Sequence, residues 1–329
     1  MKAVVTGAAG FIGSKLVARL LEQKYEVVGI DNMIHGNLEN ISNFPLGQGL
    51  GCFSFQLVDV SEPKSMKIKK LQSLIRGCDI VFHLAAYGVI WEGQKHRVRD
   101  FKNNFFGTLR MLEACHIEKV KRFVFTSSTA QYGDPIVSPT NEDAPISSTS
   151  LYAASKASAE HFIQAYSQFS TFNSLVFRFS NVIGEGCRRG VIWDFVKKLK
   201  TTPKKLSVLG DGRQSKEFIH VDDVLDAIFI GLKNIEKKKF DAFNVAVPEN
   251  RTVDFIADRV IEKMGLDGVL KSYSEKYIGD TSYISLDTSK LRSLGWFPKI
   301  STDEAIDRTI EWTIAHSNKL HSRKTPRSS

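Results

Sequence analysis

Only four cysteines occur in 329 residues, Cys52, Cys78, Cys115 and Cys187, and no two form a CxxC pair. That excludes a disulfide scaffold and a thiolate metal cluster, and it points to reduced thiols in a cytoplasmic protein. No run approaches 18 apolar residues, so no membrane span is expected. The opening MKAVVTG enters a strand-like run with no separate basic and apolar regions, so no signal peptide is expected. The eight histidines do not cluster. His83 and His220 read as packed or hydrogen-bonded residues, and no metal is expected. Internal repeats and long low-complexity linkers are missing. The basic clusters KIKK (67–70), KKLK (197–200) and KKK (237–239) are short, separate and without interleaved aromatics, which argues against nucleic-acid binding. They read as solvated surface, although a net charge of +9 would also attract a small anionic substrate. The polar, basic tail 317–329 is expected to be disordered.

What is present is ordinary soluble composition, 42% hydrophobic and 25% charged. The first 180 residues alternate β-branched runs with amphipathic stretches. Strands are expected at 2–7, 25–31, 53–59, 79–86, 122–128 and 173–179, and helices at 10–24, 104–115 and 151–169. Continuous apolar strands between helices imply a parallel sheet covered on both faces, and right-handed crossovers make it doubly wound. The expected fold is therefore a Rossmann-type α/β sheet with a smaller α/β lobe. Residues 1–180 would form the first unit, with 219–247 returning to it. Residues 181–218 and 248–316 would form the second, with helices near 190–200, 222–233, 252–264 and 302–316.

VTGAAGFIGSKL puts Gly7, Gly10 and Gly13 at the turn from the first strand into the first helix. Glycine there lets backbone approach a pyrophosphate, whose charge meets the free amides and positive end of the helix. Asp31 ends the second strand, where a carboxylate accepts from a ribose diol and repels a 2′-phosphate, favouring NAD over NADP. Capping a turn with Asn32 is its other reading. Asp59, ending the third strand, could meet the adenine amino group. Tyr152 and Lys156 lie four apart and share a helical face, a spacing that also arises by chance.

TGAAGFIG (6–13), DV (59–60), HLAA (83–86), NFFGT (104–108), TSSTAQYGD (126–134) and YAASK (152–156) resemble the extended short-chain dehydrogenase/reductases. Within these the chain is similar to the nucleotide-sugar epimerases of the UDP-glucose 4-epimerase type, from Lys2 to about Trp312. The resemblance implies tightly bound NAD, held by Gly7, Gly10, Phe11, Ile12, Gly13, Asp31, Asn32, Asp59, Val60, Leu84, Ala85 and Ala86, with Asn104 organising the site. It implies catalysis by Ser128, Tyr152 and Lys156, the last two also touching the cofactor. It further implies a nucleoside diphosphate sugar as substrate and a homodimer, commonly formed through a four-helix bundle. Substrate contacts would come from Ser128, Thr129, Asn181, Lys216, Tyr277 and Ile284. Lys216 and Tyr277 stand where the pattern has diphosphate-binding arginines, and Arg188, Arg189 or Arg292 could compensate. Ile284 falls beside the sugar's C2 substituent, or is simply a packing residue. Gly88 replaces a lysine of that pattern, Glu92 matches its acid, and Trp91 either shapes sugar choice or is a surface aromatic.

A phenol near pKa 10 is a poor base at neutral pH. A Lys156 ammonium and a nicotinamide cation would favour the phenolate, and three units of lowering require roughly 4 kcal/mol. Related dehydratases carry Asp-Glu after the catalytic Thr and related decarboxylases carry a Glu, whereas this chain has Thr129 and Ala130. With no such acid, a 4-keto sugar can only be reduced again, which implies epimerisation at C4. An NAD(P)H-dependent 4-ketoreductase of a deoxy-keto sugar nucleotide and a non-enzymatic redox-sensing regulator are the alternatives.

Overall fold

The apolar runs of the first half pair side by side into one parallel sheet. The structure, a computed structural model, describes residues 1–62, 66–93, 95–276, 279 and 281–317. Strands β1 (Lys2–Thr6), β2 (Glu26–Asp31), β3 (Phe53–Leu57), β4 (Ile80–His83), β5 (Arg122–Ser128) and β6 (Asn173–Phe179) alternate with helices α1 (Phe11–Glu22), α2 (Met66–Ile75), α3 (Arg97–Asp100), α4 (Gly107–Ile117) and α5 (Leu151–Phe169). The second half adds β7 (Asn181–Ile183), α6 (Gly190–Thr201), β8 (Lys205–Leu209), β9 (Ser215–His220), α7 (Val221–Leu232) and β10 (Phe240–Val245). It ends with β11 (Asn250–Thr252), α8 (Val253–Lys263), β12 (Leu270–Ser274), α9 (Ser289–Arg292) and α10 (Thr302–His316).

The main sheet has seven strands in the order β10-β6-β5-β4-β1-β2-β3, all parallel. Strand β10 pairs with β6 from Phe240↔Ser174 to Val245↔Phe179, so the chain returns to this sheet after its excursion. Successive residues of each strand face opposite sides. Ala3 and Val5 join the core on one face with Leu16, Leu20 and Leu225. Val4 joins the other with Leu71, Met111 and Ile163. A third core gathers α6, α8 and α10 with Leu206 and Val208 of β8. This second lobe carries two small sheets, β11-β9-β7 and β12-β8.

Three expectations need correcting. The strand expected at 79–86 ends at His83; the Leu84 amide still reaches the Thr6 carbonyl of β1, and beyond it the Thr6 side chain takes over, accepting from the Leu84 and Ala85 amides. The helix expected at 104–115 begins earlier, with a π-helical turn over Phe101–Phe106 that leads into α4. Such a turn frequently marks a functional site. Helix α2 was not expected at all, since KIKK reads as a charged cluster; Leu71 and Ile75 on its opposite face are fully buried.

The topology creates a crevice. From β1 the chain proceeds outward to β2 and β3, then crosses back to β4 on the other side. Loops following β1, β2 and β4 therefore rise around an opening at the strands' carboxyl ends, where open α/β sheets bind ligands.

Candidate functional site

The first wall of the crevice is the β1–α1 turn. Gly7 adopts φ +72°, and a Cβ there would sit 3.0 Å from the Ala85 amide nitrogen. A Cβ on Gly13 would overlap the Gly7 carbonyl, so helix and turn can touch only with glycine at both positions. Helix α1 starts with no side-chain cap on Gly10 and no acid in its first turn. Its first amides, on Phe11, Ile12 and Gly13, therefore lack intrahelical partners and present a positive end. This cradle fits the pyrophosphate of a dinucleotide.

Asp31 lies buried at the end of β2. Its Oδ2 accepts from the Ala9 amide at 3.0 Å and its Oδ1 from the Met33 amide at 2.8 Å. It thus caps the turn, Asn32 included, while each oxygen retains a second lone pair for a ribose hydroxyl. Burial raises its pKa, and the amides of Met33, Ala9 and Asn32 oppose the rise. Asp59 holds Ser61 through Oδ1 alone, at 2.8 and 2.7 Å, and Val60 beside it is buried. Leu84 and Ala85 hang from the Thr6 hydroxyl at 3.2 and 3.1 Å, and partly buried Ala86 follows them.

Beneath them His83 bridges Thr6 (2.7 Å) and Thr108 (3.0 Å). Burial, with Lys156 adding to it, pushes the imidazole down to about 3, so it stays neutral. Asn104, within the π-helical turn, accepts from the Tyr87 amide at 2.6 Å and donates to the Tyr87 carbonyl and Ser155 hydroxyl, both at 3.1 Å. It ties the loop after β4 to α5.

Helix α5 is started by Ser150, whose hydroxyl accepts from the Ala153 amide at 3.1 Å. Tyr152 and Lys156 fall on its inward face. Tyr152 lies beside Ser128 at the end of β5. Part of its ring meets solvent, yet desolvation pushes the phenol up to about 12; the Ser128 contact lowers it and Asp100 raises it. Lys156 donates from Nζ to the Thr126 carbonyl at 2.8 Å and lies 4.5 Å from the centre of the Phe125 ring. Burial pushes it down to about 7, against the Glu160 charge one turn on. The Nζ of Lys156 is thus held against β5, one helical turn on from Tyr152. Ser128 Oγ also accepts from the Ala130 amide at 3.2 Å.

The substrate residues expected from sequence scatter more widely. Thr129 is buried and its hydroxyl donates to the Phe179 carbonyl at 3.2 Å. Asn181 donates to the Glu217 carbonyl at 3.1 Å. Lys216 donates to the Thr281 hydroxyl at 3.0 Å and to its carbonyl. Ile284 is buried against Tyr132, Ala246 and Leu286, which is the packing reading. Tyr277 lies outside the described residues, as do residues 318–329 of the tail. Trp91 is exposed beside Lys95.

Several site residues were missed. Asp100 lies one turn before Asn104, is 1% exposed and has an unpartnered Oδ2. Its i, i+4 spacing to Asn104 was the available signal. Glu160 sits one turn after Lys156 and pairs with Arg178 at 2.7 Å; the YxxxKxxxE spacing could have shown it. Glu92, noted only as an acid, is held by Tyr87 and Arg99 at 2.6 and 2.8 Å. Among the described residues no group of three or more His, Cys, Asp or Glu could hold a metal ion, and no helix is long and apolar enough to cross a membrane.

Comparison with known proteins agrees with this geometry. The family model described as the NAD dependent epimerase/dehydratase family matches residues 3–246. A putative UDP-glucose 4-epimerase of Methanocaldococcus jannaschii is 31% identical over 316 residues, covering 94% of this chain and 97% of its own length. Among solved structures, the UDP-glucose 4-epimerase of Thermus thermophilus, in complex with NAD, superposes with TM-score 0.82 at 30% identity, covering 95% of this chain and 99% of its own. A dTDP-glucose 4,6-dehydratase of Streptomyces venezuelae, with NAD and TYD bound, reaches TM-score 0.86 at 25% identity, covering 97% and 98%. On fold, on the glycine cradle and on these likenesses, the chain belongs to the NAD dependent epimerase/dehydratase family.

Proposed function

We propose that the enzyme uses NAD to invert C4 of a UDP-hexose, or of its N-acetyl or uronic acid form, through a transient 4-keto sugar. The observation that carries this reading is the Ser128–Tyr152–Lys156 set beside a position 129 and 130 pair without a carboxylate. Thr129 hydrogen-bonds backbone and Ala130 has no donor or acceptor side chain. Nothing there drives elimination, which separates the chain from its dehydratase relatives. UDP-sugar epimerases among the neighbours support the nucleotide, one of them crystallised with UDP-glucose.

Residues of the glycine turn, with Asp31 and Lys156, would hold the dinucleotide. Bound there, NAD would supply reversible hydride transfer at C4. Tyr152 takes the C4 hydroxyl proton and gives it back on reduction. Ser128 donates to the same oxygen, stabilising charge as it develops. With Tyr152 pushed up to about 12, its phenolate requires positive charge nearby, and a nicotinamide cation would provide it. Asn181 and Lys216 would reach the sugar nucleotide.

We also read residues 1–180 with 219–247 as the cofactor unit and 181–218 with 248–316 as the substrate unit. The return of β10 to the main sheet and the separate core of α6, α8 and α10 support this. Exposed Phe101, Phe162 and Phe169 on the α3–α5 face support a homodimer. The test of function is incubation with UDP-glucose, UDP-GlcNAc and UDP-glucuronate, following C4 products by NMR. Interconversion of one of them is expected, and none of all three would overturn the substrate class. Stoichiometric NAD(P)H consumption would favour the ketoreductase instead.

A further inference from the structure

Strands β2 and β4 flank β1, so the loops after them stand on either side of the β1–α1 turn. The loop after β2 wraps Ala9, whose carbonyl accepts from the Asn37 amide and the Asn40 side chain, both at 2.9 Å. The loop after β4 lies on Gly7 through Ala85. The two loops meet above, where the His35 ring packs on the Tyr87 ring with centroids 4.7 Å apart. Tyr87 is fixed from below by Asn104 and from the side by Arg99, whose guanidinium lies 4.0 Å over its ring and donates to its hydroxyl at 2.8 Å.

A third strap comes from the second lobe. Gly186 faces Phe11 at the start of α1, close enough that a Cβ would lie 3.6 Å from its ring. Arg188 pairs with Glu39 at 2.9 Å, anchoring the strap to the loop after β2. Arg189 follows. Among the described residues its guanidinium has no hydrogen-bond or ion-pair partner. The residue is exposed, yet partial desolvation of its guanidinium lowers the pKa; Tyr87, Cys187 and Glu92 work against that shift. Glu92 is already engaged by Tyr87 and Arg99. His35 is pushed down to about 4 by burial and by Arg189, so it stays neutral. The charged groups meeting here are thus Arg99 and Arg189 with Glu92 and Asp100; Arg99 faces both carboxylates, which leaves Arg189 beside a helix end without an acid.

The Arg189 guanidinium lacks an anion, and a dinucleotide spanning from the β2 side to the β4 side would pass its pyrophosphate beneath the paired His35 and Tyr87 rings. We propose that His35, Tyr87 and Arg189 form a roof over the pyrophosphate of bound NAD, with Arg189 supplying its counter-charge from the second lobe. This rests on the NAD reading above. A sugar nucleotide carries a pyrophosphate too, but the strap packs on Phe11 and ties to Glu39, both on the cofactor side of the crevice. The roof has a chemical purpose in the proposed reaction. Hydride must return to the ketone from the same cofactor molecule, so NAD must outlast the intermediate.

The test measures NAD release from the loaded protein after rapid gel filtration, with UDP binding to the NAD-loaded form measured by calorimetry. Arg189→Ala and His35→Ala are each expected to speed release about tenfold or more. The Arg189→Ala effect should shrink as salt rises, and Arg189→Lys, which keeps the charge without the fork, should fall between. UDP affinity should stay within about twofold of wild type. Melting temperatures with and without NAD verify that the variants are folded. Wild-type release rates in Arg189→Ala, or weakened UDP binding with unchanged NAD release, would overturn the proposal. Wild-type protein that takes up no dinucleotide would overturn the cofactor reading, and the roof with it.

Discussion

Replacing Glu160 with glutamine perturbs the support beneath the catalytic helix. Glu160 and Arg178 are buried, with side chains 3% and 8% exposed. The carboxylate accepts from Arg178 Nη2 at 2.7 Å, from Nε at 3.0 Å and from Gln131 at 2.7 Å. Arg178 reaches on to the Tyr132 hydroxyl and the Glu142 carbonyl, each at 2.7 Å. Gln131 and Tyr132 belong to the turn that starts at Ser128, so this network joins that turn to α5. Glu160→Gln leaves the Arg178 charge buried without a counter-ion. Breaking such a pair costs about 3–5 kcal/mol, lessened here because Tyr132, Glu142 and the new amide still accept. We expect a loss of about 3 kcal/mol in denaturant unfolding. With an unfolding entropy of about 2.1 cal/mol/K per residue, that lowers the melting temperature by roughly 4 °C. Activity should also fall at neutral pH. Glu160 favours the charged form of Lys156, so its removal drops Lys156 from about 7 to a lower value and leaves less ammonium. The double variant Glu160→Leu/Arg178→Met should recover most of the stability and little of the activity. A loss under about 1 kcal/mol in Glu160→Gln, or a double variant as unstable as the sum of the singles, would refute the reasoning.

Other outcomes follow from the same geometry. Tyr152→Phe should keep its bound dinucleotide and lose turnover by about 10²–10⁴-fold, the range for a positioned acid–base group; unchanged turnover would remove Tyr152 from the chemistry. Asp100 raises Tyr152, so Asp100→Asn should move the acid limb of the kcat/KM profile to lower pH, and a limb that stays or moves up would contradict that coupling. Gly13→Ala should abolish dinucleotide uptake, measured as NAD recovered with purified protein, since the methyl overlaps the Gly7 carbonyl.

Much of the fold could be read because its signals are local. The apolar runs became β1 to β6, and the glycines mark a turn whose glycine requirement comes from adjacent backbone, at Gly7 and Gly13. Helix α5 keeps the 151–169 span read from sequence. Less legible were features decided by distant contacts. Helix α2 hides its buried Leu71 and Ile75 among lysines. The π-helical turn at Phe101–Phe106 is backbone geometry with no side-chain periodicity of its own. Lys156 turns toward Thr126 because β5 offers a carbonyl there, which helical spacing with Tyr152 does not reveal. The packing of His35 on Tyr87 joins residues 52 positions apart, and only the crossover from β3 back to β4 brings them together.

The most direct measurement of the central claim is incubation of the NAD-loaded protein with a UDP-sugar deuterated at C4, followed by NMR. Transfer within one site should give the C4-inverted product with deuterium kept at C4, no net NADH, and no label appearing in NAD added to the solution. A product without inversion at C4, or inversion with deuterium lost to water, would contradict it.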